Sequence, residues 1–413
     1  MKFALTGISG LYNYGCEAIV RGTYCILRHA WPRCEVSYIS MRPGDDRLSI
    51  LDLDLSVVAS QPTLHPFRRA YNAAMRRLKR PTEAATSPRE GLLTGVDCVL
   101  SIGGDQFTLW PGEERAKEFY RVDEAHRVLD AGTPYVLWGA SVGPFEANAH
   151  ALLEFSRVLA RMTMIGARER ITESYLKSLG LGNRVVFMAD PAFLMDVVPM
   201  PLASPPTIGV NLSPVAAAKV SGSEALSEAV IDQARLVAGL VRKCGVRVAL
   251  VPHVVCPWNP PDDDLSYLAR VRAALPAEIQ HDVTLLPAGM GARGTKRLIS
   301  SLSVLIASRM HCAIAGISIG VPTLLLSYSD KSLGMAEYVY GDRSWVLPVA
   351  SSPESIIVAA NSLLSNAPEV RASLASRMLS IRQDALSSAD ALKRALQSFT
   401  PSTPVVTSPL GRS

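Results

Sequence analysis

Residues 304–331 read VLIASRMHCAIAGISIGVPTLLLSYSDK, and this stretch indicates the fold. Its opening apolar run is typical of a buried strand, a helix-like run follows, and residues 323–326 form a second apolar strand. Arg309 and His311 follow the first strand, and Lys331 follows the second. In open α/β sheets, ligands bind at the carboxyl ends of the strands, so this edge would gather three potential cations. The pattern predicts a ligand with at least two negative charges.

The same alternation of short apolar runs and helical patterns continues along the chain. Candidate strands are 2–7, 35–40, 96–102, 134–139, 162–166, 185–188, 207–212, 246–251, 282–286, 303–307 and 322–327. Strands separated by helices are typical of parallel sheets built from right-handed crossovers. Because eleven strands are many for one open sheet, we expect two sheets.

A proline-rich stretch divides the chain. Residues 197–206 read VVPMPLASPP, and four prolines in ten residues cannot continue a helix or a central strand. We therefore expect an N-terminal Rossmann-like domain over 1–197 and a C-terminal one over 207–390. The fold class is α/β, with two doubly wound domains facing a cleft. Residues 399–413 are rich in Ser, Thr and Pro, which predicts a flexible tail.

Composition excludes some classes of protein. The 413 residues are 48% hydrophobic and 19% charged, with a net charge of +5, which is too small to indicate nucleic-acid binding. The charge fits an anionic small ligand or an anionic membrane surface equally well. Seven scattered cysteines without a CxxC motif, an N-terminus without a signal-peptide pattern, and no long apolar run predict a cytoplasmic protein.

A glycine-containing turn follows the first predicted strand. Residues 7–18 read GISGLYNYGCEA and lead into a helix. Such a turn lets a backbone approach a ligand, and a helix N-terminus favours anions. The dinucleotide-binding pattern Gly-x-Gly-x-x-Gly is absent. The alternative is a tight strand-to-helix turn in which Asn13 is a local cap.

A second glycine turn, Gly103-Gly104-Asp105, follows the apolar strand 96–102. The two glycines would admit a substrate against the backbone, and Asp105 would act as a general base or hydroxyl ligand. The alternative is that Asp105 caps the following turn, a common role for Asp.

Two further strand ends carry charged or titratable side chains. Arg168 is placed to make a bidentate contact with a carboxylate or phosphate. The alternative is a structural ion pair with Glu169, Glu173 or Asp190. His253 ends a strand of the second domain and is a candidate acid or base, although a lone histidine is usually not catalytic.

A basic helical pattern covers residues 67–80 and carries six Arg and Lys side chains without an acid. Such a helix either packs on its domain with a solvated face or contacts an anionic membrane surface. Metal sites have no support, because the sequence has no HExxH motif and no clustered Cys and His. The three aspartates at 262–264 indicate a helix start rather than a cation site.

In their order and spacing, these motifs resemble those of the polysaccharide pyruvyl transferases. The resemblance rests on Asn13 to Ala18, Gly103-Gly104, Gly139 to Pro144, Ala167-Arg168-Glu169, Ala189-Asp190-Pro191, Pro252-His253, Ser308-Arg309-Met310-His311, Gly320-Val321-Pro322 and Tyr328-Ser329-Asp330-Lys331. It implies a GT-B-like pair of domains and an enzyme of exopolysaccharide biosynthesis. Such an enzyme moves a pyruvyl group from phosphoenolpyruvate to a sugar as a ketal and releases phosphate. No cofactor is implied.

The resemblance also implies roles for residues. The family's Arg-x-His motif falls on Arg309 and His311, and His311 is then the leading proton donor. Arg309, Arg168 and Lys331 would hold the carboxylate and phosphate of phosphoenolpyruvate. The phosphoenolpyruvate side would be the C-terminal domain.

The acceptor would then lie on the N-terminal domain, where the chain departs from the family pattern. Cys16 stands where the family usually has Asp, and Asp105 stands where a third glycine is common. Asp105, Glu17 or His253 would be the base for a sugar hydroxyl. The remaining predicted substrate-binding residues are Asn13, Gly103, Gly104 and Ser308.

Two other functions stay open from the sequence. One is a nucleotide-sugar glycosyltransferase of GT-B architecture, in which the same cations would hold a diphosphate. The other is a non-catalytic carbohydrate-binding paralogue, which the cysteine at position 16 keeps open. The acceptor is expected to be a sugar or a lipid-linked oligosaccharide, and contact with the inner face of the membrane would run through residues 67–80.

Overall fold

The computed structural model describes residues 1–60, 93, 95–109, 119–222, 226–328 and 330–400. Their secondary structure alternates between strands and helices and forms two parallel sheets. The prediction of a doubly wound α/β fold with two sheets is therefore confirmed. The basic segment 67–80 and most of the predicted tail, 401–413, lie outside the described residues.

The first sheet has seven strands in the order β3-β2-β1-β4-β5-β6-β7. They are β1 (Lys2–Thr6), β2 (Glu35–Ser40), β3 (Ser56–Ala59), β4 (Cys98–Ile102), β5 (Tyr135–Ala140), β6 (Met164–Ala167) and β7 (Val185–Phe187). Strands β4 and β5 are buried throughout, as expected of a parallel sheet that helices cover on both faces. The order reverses between β1 and β4, so a crevice forms at their carboxyl ends.

The second sheet has six strands in the order β10-β9-β8-β11-β12-β13. They are β8 (Thr207–Asn211), β9 (Arg247–Leu250), β10 (Val283–Leu285), β11 (Val304–Ala307), β12 (Thr323–Ser327) and β13 (Val346–Pro348). The two apolar runs of 304–331 are the neighbouring strands β11 and β12, with Leu305 opposite Thr323. Arg309 and Lys331 thus follow adjacent parallel strands, as predicted.

Helices cover both sheets. They are α1 (Tyr14–Ala30), α2 (Pro43–Ser49), α3 (Phe119–Asp130), α4 (Ala149–Arg161), α5 (Arg170–Ser178), α6 (Pro214–Ser221), α7 (Leu226–Cys244), α8 (Asp264–Ala273), α9 (Gly291–Ile299), α10 (Met310–Ile317), α11 (Asp330–Tyr340), α12 (Pro353–Ser365) and α13 (Ala367–Gln397). Asn13 caps α1, because its side chain accepts a hydrogen bond from the Gly15 amide at 3.0 Å. No helix of the described residues is long and apolar enough to span a membrane.

The two halves meet through main-chain hydrogen bonds at the cleft. The Tyr14 amide donates to the His253 carbonyl at 3.0 Å, and the Val255 amide donates to the Tyr12 carbonyl at 3.0 Å. Asn13 and Val254 thereby form an isolated antiparallel bridge. The loop that follows β1 and the loop that follows β9 are thus joined as a short two-stranded ribbon.

The last helix, α13, returns to the first half of the chain. Arg382 on this helix pairs with Asp196 at 2.6 Å, and the Lys393 ammonium lies 5.4 Å from the ring centroid of Trp31. Leu374 and Ile381 are buried in the same core as Phe3 of β1. The first sheet is therefore covered in part by residues that come after the second sheet in sequence.

Candidate active site

A cavity of about 300 Å³ opens between the two sheets, where their carboxyl ends face each other. Ten of the eleven predicted site residues line it: Asn13, Gly103, Gly104, Asp105, Arg168, His253, Ser308, Arg309, His311 and Lys331. The eleventh, Glu17, does not. The structure thus brings together side chains that lie up to 318 positions apart in the chain, from Asn13 to Lys331.

Arg168, directly after β6, is the centre of a buried network. Its guanidinium donates to Asp190 Oδ2 at 2.9 Å, to Asp105 Oδ1 at 3.1 Å and to Ser141 Oγ at 2.8 Å. Burial alone would lower the pKa of Arg168, but Asp190 and Asp105 outweigh it and raise the pKa. The structural pairing with Asp190 is present, and the contact with Asp105 places the same guanidinium at the cavity.

Asp105 joins the two domains electrostatically. Its Oδ1 lies 3.0 Å from the Lys331 ammonium of the second domain and 3.1 Å from the Arg168 guanidinium of the first. Burial would raise the pKa of Asp105, but Lys331 and Arg168 outweigh it and the pKa lies below its usual value. Asp105 is thus a charged carboxylate held between two cations at the cavity.

His311 lies next to this network. Its Nε2 is 3.3 Å from Asp190 Oδ2 and 3.4 Å from Arg168 Nη1. Burial would raise the pKa of Asp190, but His311 and Arg168 outweigh it, and the pKa lies well below its usual range. A negative charge at Asp190 therefore orients the imidazole.

Gly15 allows helix α1 to approach His311 closely. A Cβ atom added at Gly15 would lie only 2.6 Å from the Cβ of His311. Any larger residue at position 15 would displace the imidazole, so the glycine of the first turn has a packing role at the site.

Arg309 is held by carboxylates of its own domain. Its Nη2 donates to Asp262 Oδ1 and to Asp264 Oδ1, both at 2.8 Å, and its Nε donates to Asp264 at 3.1 Å. In the described part of the chain, Nη1 has no hydrogen-bond partner. One end of the guanidinium is therefore fixed and the other is available to a ligand.

The other oxygen of Asp264 organises the loop that carries His253. It accepts hydrogen bonds from the amides of His253 at 3.0 Å and Val254 at 3.1 Å. Burial lowers the pKa of His253 to about 3, and the charges of His311 and Arg309 contribute. His253 is consequently neutral near pH 7, and its ring packs edge-on against Tyr14 at 5.8 Å.

The start of α10 is open to an anion. Arg309 is the N-cap residue and makes no side-chain capping bond, so the first amides of the helix are not satisfied by a cap. The Ser308 hydroxyl is buried at the cavity and has no hydrogen-bond partner among the described residues. A helix N-terminus with a neighbouring free hydroxyl is suited to a phosphate or carboxylate.

Glu17 is placed differently from its predicted role as a base. Its carboxylate accepts hydrogen bonds from Arg21 Nε and from the Ala292 amide, both at 2.7 Å. It thereby caps the start of α9 in the second domain. The preceding residue, Cys16, lines the cavity instead, and burial together with Asp46 and Asp262 raises the pKa of its thiol to about 12.

Sequence reasoning missed Arg121 and Tyr328, which also line the cavity. Arg121 lies within α3, away from any strand end, and its Nη2 donates to the Gly7 carbonyl at 2.8 Å. The Tyr328 ring is 4.6 Å from the Lys219 ammonium. Tyr328 follows β12 directly and could have been found by the strand-end rule, whereas Arg121 carries no such signal.

Comparison of the sequence with models of known protein families gives a match over most of the chain. A model of the polysaccharide pyruvyl transferase family matches residues 13–330. No curated protein sequence matches the chain.

Solved structures with the same fold include a putative UDP-N-acetylglucosamine 2-epimerase from Listeria monocytogenes, at 12% identity and a TM-score of 0.58, covering 96% of this chain and 95% of that one. A UDP-GlcNAc 2-epimerase from Neisseria meningitidis, bound to UDP-GlcNAc, has 12% identity and a TM-score of 0.55, covering 96% and 100%. A glycosyltransferase from Rickettsia africae has 10% identity and a TM-score of 0.56, covering 97% and 99%. These likenesses show a GT-B-like fold of two Rossmann-like domains.

Proposed function

The chain belongs to the polysaccharide pyruvyl transferase family, and on that premise we propose that it transfers a pyruvyl group from phosphoenolpyruvate to a sugar of a polysaccharide or its precursor, releasing phosphate. The observation that carries the proposal is the pairing of Arg168 and Lys331, one from each domain, on a single carboxylate beside His311. Two cations that meet on one carboxylate across a cleft suit an anionic group of the donor.

Phosphoenolpyruvate has a phosphate and a carboxylate that need separate partners. Arg168 and Lys331 would bind one of them and displace Asp105 from their shared position. The free Nη1 of Arg309, the Ser308 hydroxyl and the first amides of α10 would bind the other. Asp264, fully buried and bound to Arg309, is not displaced in this arrangement.

The chemistry that follows uses His311 as the acid. Protonation of the methylene carbon of phosphoenolpyruvate converts it to a methyl group and leaves an oxocarbenium-like centre at the adjacent carbon. A first sugar hydroxyl attacks that carbon and loses its proton. The bond between this carbon and the phosphate oxygen then breaks, and phosphate leaves. A second sugar hydroxyl attacks the same carbon and closes the ketal. The diol loses two protons, one matching the proton given to the methyl group and one leaving with phosphate.

Asp105 is the best-placed group to orient the sugar hydroxyls. The Asp105 side chain is 39% exposed. Because its pKa is low, the carboxylate stays ionised and can accept hydrogen bonds. His253 is less suited to this role because it is buried and packed on Tyr14.

The test is phosphate release from phosphoenolpyruvate in the presence of a panel of glycans. Wild type should release phosphate only with an acceptor, and His311→Gln and Arg309→Ala should lose about 10²–10³-fold in rate. The control is Arg170→Ala, which removes an exposed arginine of the N-terminal domain that pairs with Glu173. Intact transfer by Arg309→Ala would show that the assignment of the donor site is wrong.

A nucleotide-sugar glycosyltransferase remains the second candidate, because structures of the same fold have been solved with UDP-sugars bound. Thermal stabilisation by phosphoenolpyruvate but not by UDP-sugars would favour pyruvyl transfer. Stabilisation by UDP-sugars alone would favour glycosyl transfer. Glycan binding without turnover of either donor would indicate a non-catalytic paralogue.

A further inference from the structure

An exposed tryptophan lies in the loop between β9 and α8. Trp258 keeps 51% of its surface exposed, whereas Trp138 of the first sheet is fully buried. The guanidinium carbon of Arg42 lies 3.7 Å from the Trp258 ring centroid, and the Tyr12 ring packs edge-on at 5.3 Å. An indole held by an arginine and a tyrosine is a fixed flat surface, not a freely rotating side chain.

This aromatic cluster borders the active site. Asp262, four residues after Trp258, binds Arg309 at 2.8 Å. The Tyr12 carbonyl accepts the hydrogen bond from the Val255 amide that joins the two domains. Burial raises the pKa of the Tyr12 phenol, and the charge of Asp262 adds to this rise.

The chemistry of the cluster fits a sugar. Arg42 lies over one face of the indole, and about half of the surface of Trp258 is exposed. The C–H groups of a pyranose ring pack on such a surface, because the ring face carries partial negative charge. Arg42, which pairs with Asp45 at 2.9 Å, and the Tyr12 hydroxyl supply polar partners for sugar hydroxyls at the edge.

We propose that Tyr12, Arg42 and Trp258 bind a second sugar ring of the acceptor, next to the sugar that receives the pyruvyl group. The proposal rests on the proposed function, since it takes the acceptor to be a glycan. It adds that the protein selects an oligosaccharide or polymer over a monosaccharide. One stacked ring should improve binding by about tenfold.

The test uses calorimetric titration of the full chain in the absence of phosphoenolpyruvate. The probes are the methyl glycosides of glucose, galactose and mannose, each compared with α- and β-linked disaccharides of the same sugar. At least one disaccharide should bind wild type about tenfold more tightly than its monosaccharide. Trp258→Ala should remove this preference, and Trp258→Phe should retain part of it.

The matched control is Leu379→Ala, which truncates another exposed apolar side chain, on α13. It should keep the full preference. The proposal is overturned if no disaccharide is preferred by wild type, or if Trp258→Ala keeps the preference. It is also overturned if Trp258→Ala changes the mass of the protein in solution, measured by light scattering. Trp258 would then lie in an interface between copies of the chain.

Phosphate-release kinetics separate this inference from the proposed function. If phosphoenolpyruvate is never consumed but the disaccharide preference depends on Trp258, the transfer reaction is wrong and the sugar site stands. If transfer occurs and Trp258→Ala leaves the KM for a disaccharide acceptor unchanged, the sugar site alone is wrong. The expected result is a KM for the disaccharide raised about tenfold, with the KM for phosphoenolpyruvate unchanged.

Discussion

Arg309 and Arg168 both end at the same cavity, but their partners differ. The acidic partners of Arg309, Asp262 and Asp264, belong to its own domain. Arg168 is linked across the cleft, because Asp105 also binds Lys331 and Asp190 also binds His311. Both arginines thus pair with acids of their own domain, but only the acids around Arg168 also bind groups of the other domain.

The difference in burial between these carboxylates indicates which of them an anionic substrate can displace from its arginine. Asp264 is fully buried, so its pairing with Arg309 is a fixed part of the second domain. Asp105 is partly exposed, and an incoming anion can compete with it for Arg168 and Lys331. In the proposed donor site, Asp105 would therefore neutralise the two cations until an anionic substrate binds.

Removing Arg168 should have the largest effect. Arg168→Ala removes the guanidinium that faces the buried Asp190 carboxylate, and we expect a loss of about 3–5 kcal/mol in the free energy of unfolding. Phosphate release should fall by about 10²–10³-fold. Urea denaturation and the release assay measure the two effects. Arg170→Ala is the control, and an Arg168→Ala protein as stable as this control would contradict the cross-domain network.

Asp264→Asn should have the next largest effect. The amide removes the charge that faces Arg309 and puts an N–H donor where a carboxylate oxygen accepts, so we expect about 2–3 kcal/mol of destabilisation. Thermal or urea unfolding measures this effect. Asp262→Asn, whose side chain is partly exposed, should cost less than about 1 kcal/mol. Equal losses for the two variants would show that burial does not set the strength of these pairs.

The variant Asp105→Asn tests whether Asp105 competes with the donor for Arg168 and Lys331. The neutral amide removes the negative charge that Arg168 and Lys331 share, so the Kd for phosphoenolpyruvate should fall by about tenfold. If Asp105 also orients the sugar hydroxyl, kcat should fall at the same time. Calorimetric titration with phosphoenolpyruvate and steady-state kinetics measure the two quantities. An unchanged Kd would mean that Asp105 does not compete with the donor.

Replacing His253 should have the smallest effect on the free energy of unfolding near pH 7, and this effect should grow as the pH falls. Its pKa of about 3 in the folded protein lies below the ordinary value of about 6.5, so between these values only the unfolded chain binds the proton. Stability is therefore lost as pH falls from about 6.5 towards 3, by up to about 1.4 kcal/mol per pH unit. In urea denaturation at several pH values, His253→Gln should reduce the slope of the free energy of unfolding against pH by the contribution of one bound proton. A variant with an unchanged slope would contradict the low pKa of His253.

The central strands could be predicted from sequence, but two of the four edge strands, β3 and β13, could not. The runs at 96–102 and 303–307 are apolar because β4 and β11 are buried on both faces. β3 and β13 are short and partly exposed, but so are the edge strands β7 and β10, which were predicted at 185–188 and 282–286. β13 also ends in Pro348, a residue that sheets tolerate mainly at edges.

Ten residues that line the cavity were singled out from the sequence, but the pairings across the cleft were not. Strand ends indicated Arg168, Asp105 and Arg309, since that rule needs only local sequence. That Asp105 binds Lys331 depends on how the two domains pack, which no local pattern reports. Glu17, predicted as a candidate base, does not line the cavity. Consecutive helix positions differ by about 100°, so Cys16 lines the cavity while Glu17 binds the Ala292 amide at the start of α9.

The Asn13–Val254 bridge bears on how this protein could change in evolution. Main-chain atoms form its hydrogen bonds, so a substitution at Tyr12 or Val255 alters the side chain without removing the bond. Loops next to the cavity can therefore drift in sequence while the domains stay joined. New acceptor preferences could arise there by single substitutions without a separate loss of cohesion between the halves.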